Sequence, residues 1–155
     1  VNRHPMPQDT ARNLAALLRT HRYYDNCHEL SAELGRIHTT LPVMNEDGLS
    51  EQAGKLASQG VMLLAQLDPL LADTQIPDSE SLGQFEVDYH ILKSQLLEAG
   101  AAGKIQINHM DELMSGFSAL RRLIEQANKA ANTLNTHSPV PISQPVSASA
   151  KTGDI

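Results

Sequence analysis

The chain is predicted to be all-α, an antiparallel up-and-down four-helix bundle, on three observations. Apolar side chains recur at alternating three- and four-residue steps in four separate stretches, the spacing of one helical face. Phe and Tyr are few and Trp is absent from the 155 residues, so Leu, Ile, Met and Ala must fill the core. That composition suits helix on helix better than a sheet, which favours aromatic and β-branched residues. The stretches are also joined by short connections, which places successive helices side by side and antiparallel.

Residues 1–8 form a short arm with two prolines, Pro5 and Pro7. A helix is expected from Asp9 or Thr10, with Ala11, Leu14, Leu18 and His21 on one stripe. Cys27, Leu30, Leu34 and Ile37 repeat correctly among themselves but fall on nearly the opposite face. Asp25 and Asn26 are weak helix formers and good turn residues, so a kink or rotation is expected there. His38 to Gly48 is a connection marked by Pro42. The second helix, capped by Asp47 or Ser50, has the seam Leu49, Ala53, Leu56, Gly60, Leu63, Leu67 and Leu70, widened by Leu64 and Leu71. Pro69 should kink or end it.

The third helix, Asp78 to Ala101, carries Leu82, Phe85, Tyr89, Leu92 and Leu96 on its core stripe. Gly100 or Gly103 can take the left-handed conformation that closes it. A fourth helix starts at Asn108, with Asp111 and Glu112 near the positive end of its dipole and Leu113, Phe117, Leu120, Ile124, Ala127, Ala131 and Leu134 as its stripe. The bundle therefore spans 9–136. Residues 137–155, rich in Ser and Pro and without periodicity, read as a disordered tail.

The formal charge of −6 is uneven. Between Met44 and Asp88 stand nine acids against Lys55 alone, while the first 22 residues carry Arg3, Arg12, Arg19 and Arg22 against Asp9. So acidic a chain argues against nucleic acid as a partner, because phosphate neutralisation supplies much of that affinity. The acidic middle reads as a solvated face, or as a docking surface for a basic protein. No apolar run approaches the roughly 20 residues needed to span a bilayer, and the N-terminal residues do not resemble a secretory signal, so no membrane role is expected. The lone Cys27 excludes an intrachain disulfide, and a cytoplasmic location is expected.

Little in the chain points to catalysis. Di-iron bundles need Glu-x-x-His on two helices, and no such pair occurs; the nearest approximations are Asp25-x-x-His28 and Glu86-x-x-x-His90. No metal site, cofactor or catalytic residue is expected. His21 and His28 are expected to be partly buried structural histidines, and Cys27 a small core residue. His28 adjoins Cys27, but helix neighbours point about 100° apart and do not face each other.

His90 stands well away from the core stripe, with Lys93 and Ser94 on the solvent side beside it. The run His90-Ile91-Leu92-Lys93-Ser94, followed by Gly100-Ala101 and preceded by the apolar Phe85, resembles the signature of histidine-containing phosphotransfer domains. Those are small four-helix bundles whose exposed histidine accepts and donates a phosphoryl group. The resemblance covers some 17 residues. It implies His90 as phosphoacceptor, Lys93 holding phosphoryl oxygens, Ser94 leaving the approach clear, and a receiver domain as partner.

A reading that asks less of the sequence is a non-catalytic bundle that binds another protein, as an adaptor, anti-activator or secretion chaperone does. Val87 and Ile91 fall outside the core stripe of the third helix, and apolar residues left outside mark contact surfaces. With Glu86, Asp88 and His90 they make an acidic, partly apolar helix surface for a partner, or for a homodimer.

Overall fold

A computed structural model describes residues 7–68 and 76–137. The first helix, α1 (Gln8–Thr40), runs 33 residues without interruption, about 50 Å at 1.5 Å per residue. The carbonyl of Pro7 accepts the Ala11 N–H to start it, and no proline follows until Pro42, inside a 3-10 turn over Leu41–Val43. The expected kink at Asp25-Asn26 does not interrupt the helix, for a reason visible in its burial. Ala16, Thr20, Tyr23, Cys27, Leu30, Leu34, Ile37 and Leu41 form one continuous stripe of buried and half-buried residues. The C-terminal half of the predicted pattern simply continues toward the N-terminus through Ala16 and Thr20. The stripe of Ala11, Leu14, Leu18 and His21 exists but faces outward, so its expected burial is wrong.

α2 (Asp47–Gln66) buries Leu49, Ala53, Leu56, Gly60 and Leu63, and Leu67 beyond its end. Neither Asp47 nor Ser50 caps it: Glu46 occupies the N-cap position without a side-chain bond, and the Ser50 hydroxyl turns back to the Leu41 carbonyl. The helix ends ahead of Pro69, as expected. Pro69, Leu70 and Leu71 lie outside the described residues.

α3 (Ser79–Ala101) is capped by Asp78, whose carboxylate accepts the Ser81 N–H at 2.7 Å. It closes at Gly103, the one positive-φ residue described (φ 70°). The Lys104 N–H reaches the Ala99 carbonyl and the Gly103 N–H that of Gly100, the paired bonds of a Schellman end. Gly100 serves differently, lying buried against Met110 of the last helix. That helix, α4 (Ile107–His137), begins one residue ahead of expectation. The predicted tail starts one residue too early: His137 still belongs to α4, and residues 138–155 lie outside the described residues.

The topology is an antiparallel, up-and-down helical bundle, with no strand among the described residues. Asn26 bonds Gln126 and Thr40 bonds Glu112 (2.6 Å), which fixes α1 and α4 antiparallel along their length. Their backbones approach closely: a Cβ on Gly116 would stand 2.6 Å from Ile37 Cγ1. α4 is buried on two sides, by Gly116, Ala119, Leu123 and Ala130 as well as by the predicted stripe, whose last members Ala131 and Leu134 are half-buried. α1 packs along α4 far more extensively than any other pair, while α2 and α3 close the other side. No helix among the described residues is long and apolar enough to cross a membrane.

Candidate functional site

Phe85, Tyr89, Leu92 and Leu96 bury one side of α3, so the intervening positions look outward. Glu86, His90 and Lys93 lie toward α4; Gln84, Asp88 and Ile91 lie toward α2; Val87 sits between the two rows. The predicted set Glu86, Val87, Asp88, His90 and Ile91 is thus one outward helix surface, with Val87, His90 and Ile91 exposed and Glu86 and Asp88 half-buried at its two edges. Val87 is 53% exposed and Ile91 49%.

On the α4 edge, Arg121 meets Glu86. Its Nε–H donates to both carboxylate oxygens at 2.8 Å, and Nη2 also faces Oε1. These hydrogen bonds hold the Glu86 carboxyl below its ordinary pKa, against its partial desolvation. The same carboxylate lies 3.2 Å from His90 Nε2. Arg121 also sits 5.3 Å from the centroid of the Tyr89 ring, close enough for a cation–π contact. Tyr89 meets the His90 ring edge-on at 5.2 Å. Four side chains therefore form one connected polar cluster at the α3–α4 seam.

His90 is exposed, its side chain 59% accessible, and Lys93 and Ser94 are exposed with it, while Leu92 is buried. An exposed imidazole can act as a nucleophile. Here Nε2 is turned to the Glu86 carboxylate, a negative charge that repels an incoming phosphoryl group. Arg121 is the part of the cluster that sequence reasoning missed: it stood outside the stripe of the fourth helix, and no local pattern ties it to a glutamate 35 residues earlier.

On the α2 edge, Met62, Gln59 and Lys55 of α2 face Gln84, Asp88 and Ile91 of α3 across a shallow groove that continues to Asp78 and Glu80. Lys55 is paired with Glu51 at 2.7 Å. Asp88 accepts from Gln84 and has no cationic partner among the described residues. The groove is therefore acidic in character and mixed in its lining, with Met62 and Ile91 as exposed apolar side chains among glutamines and carboxylates.

The remaining candidates settle as follows. His21 and His28 are both exposed rather than partly buried; His21 bonds Asp25 at 3.0 Å, one turn on along the outward side of α1. Cys27 is half-buried against the core, its thiol 3.8 Å from the Leu123 carbonyl, and burial pushes its pKa up. Among the described residues no group of three or more His, Cys, Asp or Glu could hold a metal ion. No family model matches this chain, and neither any curated protein nor any solved structure is detectably similar to it.

Proposed function

We propose that this is a non-catalytic helical-bundle protein of the cytoplasm that binds a protein partner through the outer surface of α3. The observation that carries it is the exposure of Val87 and Ile91, one turn apart, beside an acidic groove. Leaving two branched aliphatic side chains half in water gives up about half of the roughly 1.5–3 kcal/mol that full burial of each supplies, which association recovers. Val87, Asp88 and Ile91 supply the contact; Glu86 contributes less charge than its position suggests, because Arg121 already engages it.

The test is capture of a partner from extracts of the native host by wild-type protein, Val87→Asp, Ile91→Asp and His90→Gln. Wild type and His90→Gln are expected to retain the same partner, and both Asp variants to lose it while keeping wild-type circular dichroism. Equal capture by all four forms would remove the α3 surface from the reading.

One observation favours a second reading, phosphoryl transfer through His90: the exposed imidazole with Lys93 one turn on. Incubation with a phosphorylated receiver domain then labels wild type with an acid-labile, base-stable phosphoryl group and leaves His90→Gln unlabelled. The Glu86 contact to Nε2 places this reading second.

A further inference from the structure

The register of α1 against α4 leaves the start of α1 unusually bare. The Asn26–Gln126 and Thr40–Glu112 bonds put the end of α4 level with about Ala15. Asp68, just past the end of α2, lies near Tyr24. Residues 8–22 of α1 therefore run beyond the end of α2, and among the described residues Ala16 and Thr20 are the two buried positions of that stretch. Away from those two, with Leu18 directly opposite them and Leu17 at their flank, Leu14 is 45%, Leu17 59% and Leu18 64% exposed. α4 cannot cover them, because it occupies the other face of the same helix.

This outward stripe has a charged edge. Arg22 stands next to Leu18, with Arg19 and Arg12 further round the helix on the same side; all three are exposed, and none forms an ion pair among the described residues. The surface is complementary to one that combines aliphatic side chains with carboxylates. The chain carries such a surface itself: Met62, Val87 and Ile91, bordered by Asp78, Glu80 and Asp88, with the nearby Lys55 neutralised by Glu51. An anionic lipid surface fits the arginines but not the remainder of the molecule, whose net charge of −6 is repelled by it.

We infer that the outward Leu14–Leu17–Leu18 stripe of α1, with its arginine edge, docks on the acidic, partly apolar α2–α3 surface of a second copy of this chain. The inference rests on the reading of that surface as a docking site. The contact is heterologous: each copy brings one stripe and one receiving surface. Copies either engage reciprocally as a dimer or run on into longer chains.

Sedimentation velocity of the full 155-residue chain tests it. Wild type is expected to associate with rising concentration, and less so in high salt, which screens guanidinium–carboxylate attraction. Leu14→Asp/Leu18→Asp and Ile91→Asp, all at exposed positions, should each be monomeric alone, with unchanged circular dichroism. Mixed in equal amounts they should form a one-to-one heterodimer, because the first keeps its receiving surface and the second keeps its stripe. A monomeric wild type overturns the inference. So does association that survives in Ile91→Asp, which would pair the stripe with itself, or in Leu14→Asp/Leu18→Asp, which would pair the α3 surface with itself. Binding of monomeric wild type to phosphatidylserine vesicles would assign the stripe to a lipid surface instead. Loss of partner capture by Ile91→Asp in a chain that never self-associates keeps the proposed function and removes this inference alone.

Discussion

Arg121 holds Glu86 with two hydrogen bonds at 2.8 Å, and Glu86 in turn touches His90, so a charge on α4 sets the electrostatics of the α3 surface. The carboxyl is held below its ordinary pKa in the folded chain. Its contribution to stability is therefore present above the ordinary carboxylate value and is lost as pH falls through the depressed folded value. Arg121→Met should destabilise by about 0.2–1 kcal/mol at neutral pH, the range of an exposed ion pair. The difference between the two proteins in thermal melts should shrink as pH drops through the carboxylate range. A difference unchanged down to acid would show that Arg121 acts by packing on Tyr89 rather than through Glu86.

At the scale of the element, the closeness of α1 to α4 depends on a missing side chain. A Cβ at Gly116 meets Ile37 Cγ1 at 2.6 Å and the Ile37 backbone nitrogen at 3.4 Å, atoms too near the backbone to swing aside. Gly116→Ala should cost about 1–3 kcal/mol through overpacking. Gly54, inside α2, is the opposite case: a Cβ there would meet nothing within 4 Å. Gly54→Ala should stabilise by about 0.4–1 kcal/mol by improving helix propensity and reducing unfolded-state entropy. Denaturant melts of the two variants should shift in opposite directions; a shift in the same direction would refute the close approach at Gly116.

The stripes of α2, α3 and α4 were legible because each of those helices has a dominant apolar face, from Leu49 to Leu67, Phe85 to Leu96 and Leu113 to Ala127. The orientation of α1 was not, because it carries two stripes. Leu14 and Leu18 outweigh Ala16 and Thr20 in hydrophobicity, so periodicity alone selects the wrong face. What reverses the choice is partner geometry: small residues at 16 and 20 admit the α4 backbone closely, which large leucines cannot do. The exposure of His90, Lys93, Val87 and Ile91 followed from the α3 stripe, whereas the Arg121 contact to Glu86 depended on the register of two separate helices.

For the whole molecule, every buried apolar residue described lies between Ala16 and Ala130. A chain ending at His137 should keep the full-length melting temperature within a few degrees, since the described core is complete before that point. A large drop would place part of the core in residues 138–155.

The pairing of the first helix with the last has a consequence for how the protein is made. Asn26 and its partner Gln126 are 100 residues apart, a separation that translation at roughly 5–20 residues per second covers in about 5–20 s. Throughout that interval α1 is synthesised without its principal mate, and both of its apolar stripes are uncovered. α2 and α3 can pair in the meantime, because their contacts are nearer in sequence, but α1 must wait for α4. The longest helix of the bundle is thus the first to leave the ribosome and among the last to be satisfied. The nascent chain, more than the finished one, is where its leucines stand most in need of shelter.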